Sequence, residues 1–152
     1  MAEPVLRRRS ALAGWEPRFA AAAAGAGAVA LAEVPFLAQV LLRAEPGSDA
    51  ARAVEAALGG ALPRANRVAA LPGGREALWL GPDEWLVLGA PGEEAALEAA
   101  LAAAPAVTGL TANRTTIDVT GPLAHDVLAT VCGLDLHPRA FAPGCCAQTL
   151  LA

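Results

Sequence analysis

The chain has 152 residues, a formal net charge of −4 and a pI near 5.1. This length fits one domain of ordinary size, or two small lobes that share a core. An acidic chain whose only basic cluster is Arg7-Arg8-Arg9 lacks the basic surface that tracks phosphates. We therefore predict no binding to nucleic acid.

The first 33 residues show no clear hydrophobic periodicity and are rich in alanine and glycine. This composition predicts a flexible arm over residues 1–33, followed by the folded domain over residues 34–152. The arginine cluster and the alanine tract have some features of an export signal, but Trp15–Arg18 interrupts them. The tract is also too short and too weakly apolar to span a bilayer. We predict a cytoplasmic protein without membrane contact.

The domain opens with a predicted strand and a predicted helix. Alternating side chains indicate a strand over Val34–Arg43, one face of which would hold Phe36, Ala38, Val40 and Leu42. Ser48 is a typical cap for the helix that follows, and Gly59-Gly60 is a typical end. The apolar positions of this helix, by spacing, are Ala50, Ala53, Val54, Ala57 and Leu58.

A hairpin is predicted in the middle of the domain. A short strand near Arg67–Leu71 precedes it, and its two arms are Glu76–Leu80 and Trp85–Leu88. The four residues Gly81–Glu84 form its loop, with a proline where φ near −65° is wanted. Trp79 and Trp85 flank the loop and would cover its base.

The last third of the chain predicts a helix, two strands and another helix. The first helix begins at Pro91–Glu94, carries Leu97 and Leu101 on its apolar side and ends before Pro105. Strands follow over Ala106–Leu110 and Thr115–Thr120. Gly121-Pro122 opens the last helix, which ends at Gly133 and has an apolar stripe at Leu123, Val127 and Val131. The order predicts an α+β fold, with helices on one face of antiparallel sheets and ferredoxin-like, split βαβ elements.

Histidines and carboxylates are the first candidates for chemistry, and they are scattered. His125 and Asp126 are neighbours on a helix, so they point in different directions and indicate a solvent-facing pair. His137 precedes a proline, which favours a hydrogen bond that orders the loop. Asp118, in the middle of a threonine-lined strand, is the carboxylate we nominate for a functional role, although a charge on the exposed face of a sheet is the simpler explanation.

The three cysteines are Cys132, Cys145 and Cys146. The odd count, the absence of a CxxC motif and the poor disulfide geometry of adjacent residues predict free thiols in a reducing compartment. Neither serine lies in a nucleophile elbow. We predict that this chain holds no catalytic, cofactor-binding or metal-binding residue.

Five stretches carry a resemblance to a known family. They are Phe36–Arg43, Leu80–Leu86, Thr120–Pro122, Leu134–Phe141 and Pro143–Thr149. In these stretches the chain resembles the gamma subunit of heterotetrameric sarcosine oxidase. It is more distantly similar to the folate-binding domain of the glycine-cleavage T-protein. The resemblance implies two interlocked lobes over residues 34–152.

The resemblance also implies a function. The chain would be a non-catalytic structural subunit of a cytoplasmic complex with alpha, beta and delta subunits. That complex oxidises sarcosine to glycine and transfers the one-carbon unit to tetrahydrofolate. FAD, FMN, NAD, tetrahydrofolate and zinc would lie on or between the partner subunits, and none on this chain. The alternative is a stand-alone folate-binding protein of the T-protein superfamily, in which Asp118 would face the folate.

Family members run on past the stretch that ends at Gln148-Thr149, through further strands. We therefore expect the C-terminal strands of the family fold to be missing here. Such a loss would leave a sheet edge and apolar surface exposed.

Overall fold

Two antiparallel sheets organise the part of the chain that the structure, a computed structural model, describes, namely residues 8–24 and 28–152. The helices are α1 (Glu16–Ala24), α2 (Asp49–Leu58), α3 (Glu94–Ala100) and α4 (Ala124–Val131). The strands are β1 (Ala30–Val34), β2 (Ala38–Arg43), β3 (Val68–Leu71), β4 (Arg75–Gly81), β5 (Glu84–Gly89), β6 (Ala106–Gly109) and β7 (Thr116–Thr120). These elements confirm the predicted α+β class with antiparallel sheets.

The larger sheet has five strands in the order β3-β4-β5-β2-β6. The chain order β2-α2-β4-β5-α3-β6 is that of a ferredoxin-like unit, to which β3 adds an edge strand. We call this unit, residues 38–109, the first lobe. The strand predicted near Arg67–Leu71 and the strand predicted over Ala106–Leu110 are both present in it.

The core of the first lobe lies between the sheet and its two helices. On β2 the side chains of Ala38, Val40 and Leu42 are fully buried, as the alternation predicted. From α3, Leu97 and Leu101 are also fully buried in the same cluster. Burying a leucine stabilises a fold by about 1.5–3 kcal/mol, so these few side chains account for much of the cohesion of an alanine-rich lobe.

Helix α2 has the predicted caps but a different buried stripe. The Ala51 N–H donates to Ser48 Oγ at 3.1 Å, and Gly59 ends the helix with φ of 72°. The buried positions are Ala51, Val54 and Leu58, whereas Ala53 and Ala57, predicted on the apolar side, are exposed. A helix made largely of alanine offers little contrast between its faces, so the spacing alone selected the wrong alanines.

The hairpin turn is tighter than predicted. Gly81 pairs with Glu84 across the strands, which leaves a two-residue turn in place of the predicted four-residue loop. An irregularity between Trp79 and Gly81 shifts the register and permits this pairing. Trp79 lies opposite Trp85, whose buried indole N–H donates to the Pro63 carbonyl at 2.9 Å.

A second, smaller lobe consists of β1, β7 and α4. β1 pairs with β7 from Ala30↔Thr120 to Val34↔Thr116, so the whole first lobe lies between two paired strands in the sequence. The predicted strand over Val34–Arg43 is therefore wrong at its start. The chain turns at Phe36, whose φ is 62°, and β1 lies before this turn.

The predicted arm over residues 1–33 contains α1 and all of β1 except its last residue, Val34. The physical reason is that β1 takes its hydrogen bonds from a strand far along the chain, which local periodicity does not reveal. The predicted division of the chain after residue 33 cuts through β1. Residues 1–7 of the predicted arm lie outside the described residues.

Helix α4 begins two residues later than predicted, and its predicted apolar stripe is not buried against the rest of the fold. Its N-terminus is held close to β1, since the Leu123 N–H donates to the Ala28 carbonyl oxygen at 3.0 Å. Gly121 has φ of 111°, and a Cβ there would lie 2.5 Å from the same oxygen, so only glycine fits. Yet Leu123, Val127 and Val131 are 36–47% exposed, and none of the α4 residues is buried.

We expect the first lobe to depend on its leucine core. Leu97→Ala should lower the free energy of unfolding by about 2–5 kcal/mol, since it opens a cavity at a fully buried position. Leu150→Ala makes the same chemical change at a side chain that is 88% exposed and should cost under about 0.5 kcal/mol. Urea unfolding of both variants measures the two values. Equal losses would contradict the assigned core.

We also expect a pH dependence from Glu93, which joins the start of α3 to β4. Its Oε1 accepts from Arg75 Nη2 at 3.0 Å, and its Oε2 accepts from the Ala90 N–H at 2.9 Å. The hydrogen bond from Arg75, and then that from Ala90, lowers the pKa of Glu93. This contribution to stability is therefore present above the ordinary glutamate pKa and is lost as the pH falls through the lowered value.

Urea unfolding of the wild type and of Glu93→Gln, at neutral pH and at successively lower pH, tests this. The two proteins should differ most at neutral pH and converge in acid. The exposed Glu45→Gln is the matched control and should run parallel to the wild type. A difference between the wild type and Glu93→Gln that persists unchanged in acid would exclude an ionised Glu93 as its source.

Candidate functional site

The histidines hold loops in place. His125 and Asp126 are both exposed, as predicted, but they do not point in different directions, since His125 Nδ1 lies 3.3 Å from Asp126 Oδ1. The other ring nitrogen of His125 contacts the Leu136 carbonyl, which ties α4 to the loop after it. His137 Nδ1 accepts from the Arg139 N–H at 3.2 Å, which is the loop-ordering hydrogen bond that the sequence predicted.

Asp118 lies at the centre of β7, opposite Ala32 on β1, and is exposed to solvent. A carboxylate acts as a general acid or base inside a cleft that controls its protonation. Asp118 has no such surroundings, and the structure does not bring it together with a histidine or a cysteine within the described ranges. Its position fits the exposed sheet face that the sequence offered as the simpler explanation.

The three cysteines are free thiols. Burial raises the pKa of the Cys146 thiol, whose Sγ lies 3.3 Å from the Trp79 carbonyl oxygen and 3.2 Å from the Arg67 carbonyl oxygen and can donate its single hydrogen to either. Cys145 Sγ accepts from Arg67 Nη1 at 3.1 Å. A thiol that lies between two carbonyl acceptors and has a raised pKa is poorly suited to act as a nucleophile.

The C-terminal segment that contains Cys145 and Cys146 is hydrogen-bonded to the first lobe. The Val68 N–H donates to the Gly144 carbonyl at 2.9 Å, and the Cys146 N–H donates to the Asn66 carbonyl at 3.0 Å. Farther along, Gln148 Nε2 donates to the Leu80 carbonyl at 3.0 Å. The stretch with the most specific family resemblance therefore serves as a strap along β3 and β4. It borders an open cavity of about 440 Å³.

A cavity of about 350 Å³ lies between the N-terminal segment and the start of β7. Glu33 lines it and accepts hydrogen bonds from the Ser10 hydroxyl and, at 2.6 Å, from the Thr115 hydroxyl. These bonds, that from Ser10 first, lower the pKa of Glu33. Arg8 pairs with Glu94 at 3.0 Å and stacks over the Phe36 ring. Arg8 and Glu33 thus hold residues 8–10 against both lobes.

What distinguishes the second lobe is exposed apolar surface. We call the set of exposed side chains on β7, α4 and the C-terminal segment the apolar face. It comprises Ile117, Leu123, Val127, Val131, Leu150 and Leu151, which are 36–88% exposed. The C-terminal segment returns to α4, where Leu151 bridges to Cys132. Grouped exposed apolar side chains are typical of interaction surfaces.

The sequence pattern shows the apolar stripe on α4 but does not show that it lies on a surface. With helices predicted on one face of the sheets, such a stripe is expected to be buried. Of the two tryptophans that flank the hairpin turn, Trp85 is 3% exposed and belongs to the core, and Trp79 is partly buried against it. Trp15, in the N-terminal segment, is 45% exposed.

Across residues 8–24 and 28–152 no three side chains of the metal-ligating types come together. Within the same ranges, no helix is long and apolar enough to cross a membrane.

Comparisons with known proteins give the family. The family model described as "Sarcosine oxidase, gamma subunit family" matches residues 43–152. A sarcosine oxidase subunit gamma from Arthrobacter sp. is 46% identical over 131 residues, which cover 84% of this chain and 64% of that protein. One from Corynebacterium sp. strain P-1 is 44% identical over the same shares. The chain thus spans just under two thirds of the length of these relatives.

A solved structure supports the same family. A chain of the heterotetrameric sarcosine oxidase from Corynebacterium sp. U-96, in complex with pyrrole 2-carboxylate, matches 95% of this chain with a TM-score of 0.84 and 41% sequence identity. The match covers 76% of that solved chain. By sequence over most of its length and by structure, the chain belongs to the sarcosine oxidase gamma subunit family.

Proposed function

We propose that the chain acts as the gamma subunit of a heterotetrameric sarcosine oxidase, as a structural and non-catalytic component. The observation that carries this proposal is the close likeness to a chain of a heterotetrameric enzyme. It is supported by the apolar face, whose side chains contribute to stability only when another surface covers them.

The partners in this proposal are alpha, beta and delta subunits of a cytoplasmic complex. That complex oxidises sarcosine to glycine and passes the one-carbon unit to tetrahydrofolate. FAD, FMN, NAD, tetrahydrofolate and zinc would be held by or between those subunits. The loop-ordering roles of His125 and His137 agree with this division of labour, since both rings already serve the fold.

The likeness to the T-protein folate-binding domain is part of the same proposal. We propose that this chain shares the architecture of that superfamily without its folate chemistry. The exposed position of Asp118 on β7 supports this choice over the alternative of a stand-alone folate-binding protein.

Co-expression of the tagged chain with the alpha, beta and delta subunits of a relative tests the proposal. We expect a flavin-coloured complex that consumes oxygen when sarcosine is added. Without this chain, the yield of the assembled complex should fall by about tenfold, since an interface core would be left uncovered. Full assembly and turnover without the chain would overturn the structural role.

The non-catalytic part of the proposal has its own test. Asp118→Asn in the assembled complex should leave kcat and kcat/KM for sarcosine within about twofold of the wild type, since the residue would touch no reacting group. A fall of about a hundredfold in kcat with unchanged assembly would instead indicate a catalytic carboxylate. Folate binding by the isolated chain, measured by calorimetry, would favour the stand-alone alternative.

A further inference from the structure

The cavity between the N-terminal segment and the start of β7 contains hydrogen-bond donors that the fold does not use. Its volume of about 350 Å³ lies in the range of small-molecule sites. All of its lining residues fall within three stretches, 8–11, 33–36 and 111–115. The cavity is therefore built apart from α4 and the C-terminal segment, where the two lobes and the N-terminal segment meet.

Two of the charged side chains that line this cavity already have partners. The Arg8 guanidinium pairs with Glu94 at 3.0 Å. The Glu33 carboxylate accepts hydrogen bonds from the hydroxyls of Ser10 and Thr115. The charge of each group is thus compensated by a group of opposite charge or by hydroxyl donors.

Arg9 and Arg114 also line the cavity, and their charges are not compensated in this way. Among residues 8–24 and 28–152 neither of them forms an ion pair. Thr111 adds a further donor, because its Oγ1 accepts from the Gln39 N–H at 2.9 Å and its own hydroxyl hydrogen remains available. In a chain with a net charge of −4, this cavity thus has a local excess of positive charge and of donors.

We propose that this cavity binds a small molecule through an anionic oxygen group, a phosphate or a carboxylate, which Arg9 and Arg114 hold. A guanidinium group donates two parallel hydrogen bonds to either kind of group. The Thr111 hydroxyl and the Asn113 side-chain amide would donate to the remaining oxygens, and the Phe36 ring offers an apolar wall to the rest of the molecule. The proposal goes beyond the proposed function and does not depend on it.

The backbone at Phe36 supports a binding role for this cavity. Its φ of 62° lies in the left-handed region, which a bulky side chain rarely adopts. Strained residues of this kind persist where the surroundings hold them, and they cluster at ligand sites. Here the Arg8 guanidinium stacks over the Phe36 ring, 4.8 Å from its centroid, and holds the ring at the cavity wall.

Calorimetric titration of the chain with inorganic phosphate and, separately, with succinate tests the proposal, with sodium chloride keeping the ionic strength constant. We expect saturable binding of at least one of the two ions. Arg114→Gln and Arg9→Gln should each raise its Kd by about tenfold, since each removes charge-assisted hydrogen bonds. Arg64→Gln makes the same charge change at an exposed position outside the cavity and should stay within about twofold.

The two ions identify the group that the cavity prefers, since tighter binding of phosphate indicates a phosphate group and tighter binding of succinate a carboxylate. Circular dichroism checks that the variants fold, and either cavity variant suffices for the comparison with Arg64→Gln. If neither ion binds saturably, the proposal is wrong. An equal rise in Kd for Arg64→Gln and the cavity variants would show general attraction to positive charge, against a defined site.

Discussion

The central position of β2 is the constraint on which the rest of the structure depends. This strand is hydrogen-bonded on both sides, and three of its side chains are fully excluded from water. Its backbone also holds the connection that leads to the other lobe, because the Gln39 N–H donates to Thr111 Oγ1 at 2.9 Å and the Gln39 carbonyl accepts from the Leu110 N–H at 2.7 Å. One strand therefore organises the core and fixes where the chain leaves it for β7.

Much of the first lobe could be predicted from the sequence because its signals are local. Alternation located the buried face of β2, Ser48 and Gly59 bounded α2, and Leu97 identified the buried side of α3. The errors occurred where the signal was weak or distributed. Alanines gave no contrast between the faces of α2, and the irregularity near Trp79 shortened the hairpin turn.

The second lobe was predicted poorly for a different reason. β1 has no recognisable pattern of its own and exists because β7 pairs with it from the far side of the first lobe. The stripe on α4 was read correctly as apolar, but an apolar pattern does not say whether its cover lies within the same chain. The candidate surface was therefore present in the sequence as a pattern, while its exposure became clear only from the packing of the lobe.

The placement of the first lobe between β1 and β7 has a consequence for synthesis on the ribosome. β1 leaves the ribosome well before its partner, so its edges stay open to other chains in the meantime. The delay ends quickly once the first lobe has folded, because the pairing of Val40 with Gly109 brings the two connections to the second lobe side by side. Folding of the first lobe has then already met the entropic cost of closing the long loop, so β7 and β1 are held at high effective concentration. The small lobe therefore forms only after the large lobe has folded, and disruption of the larger core would unfold both lobes.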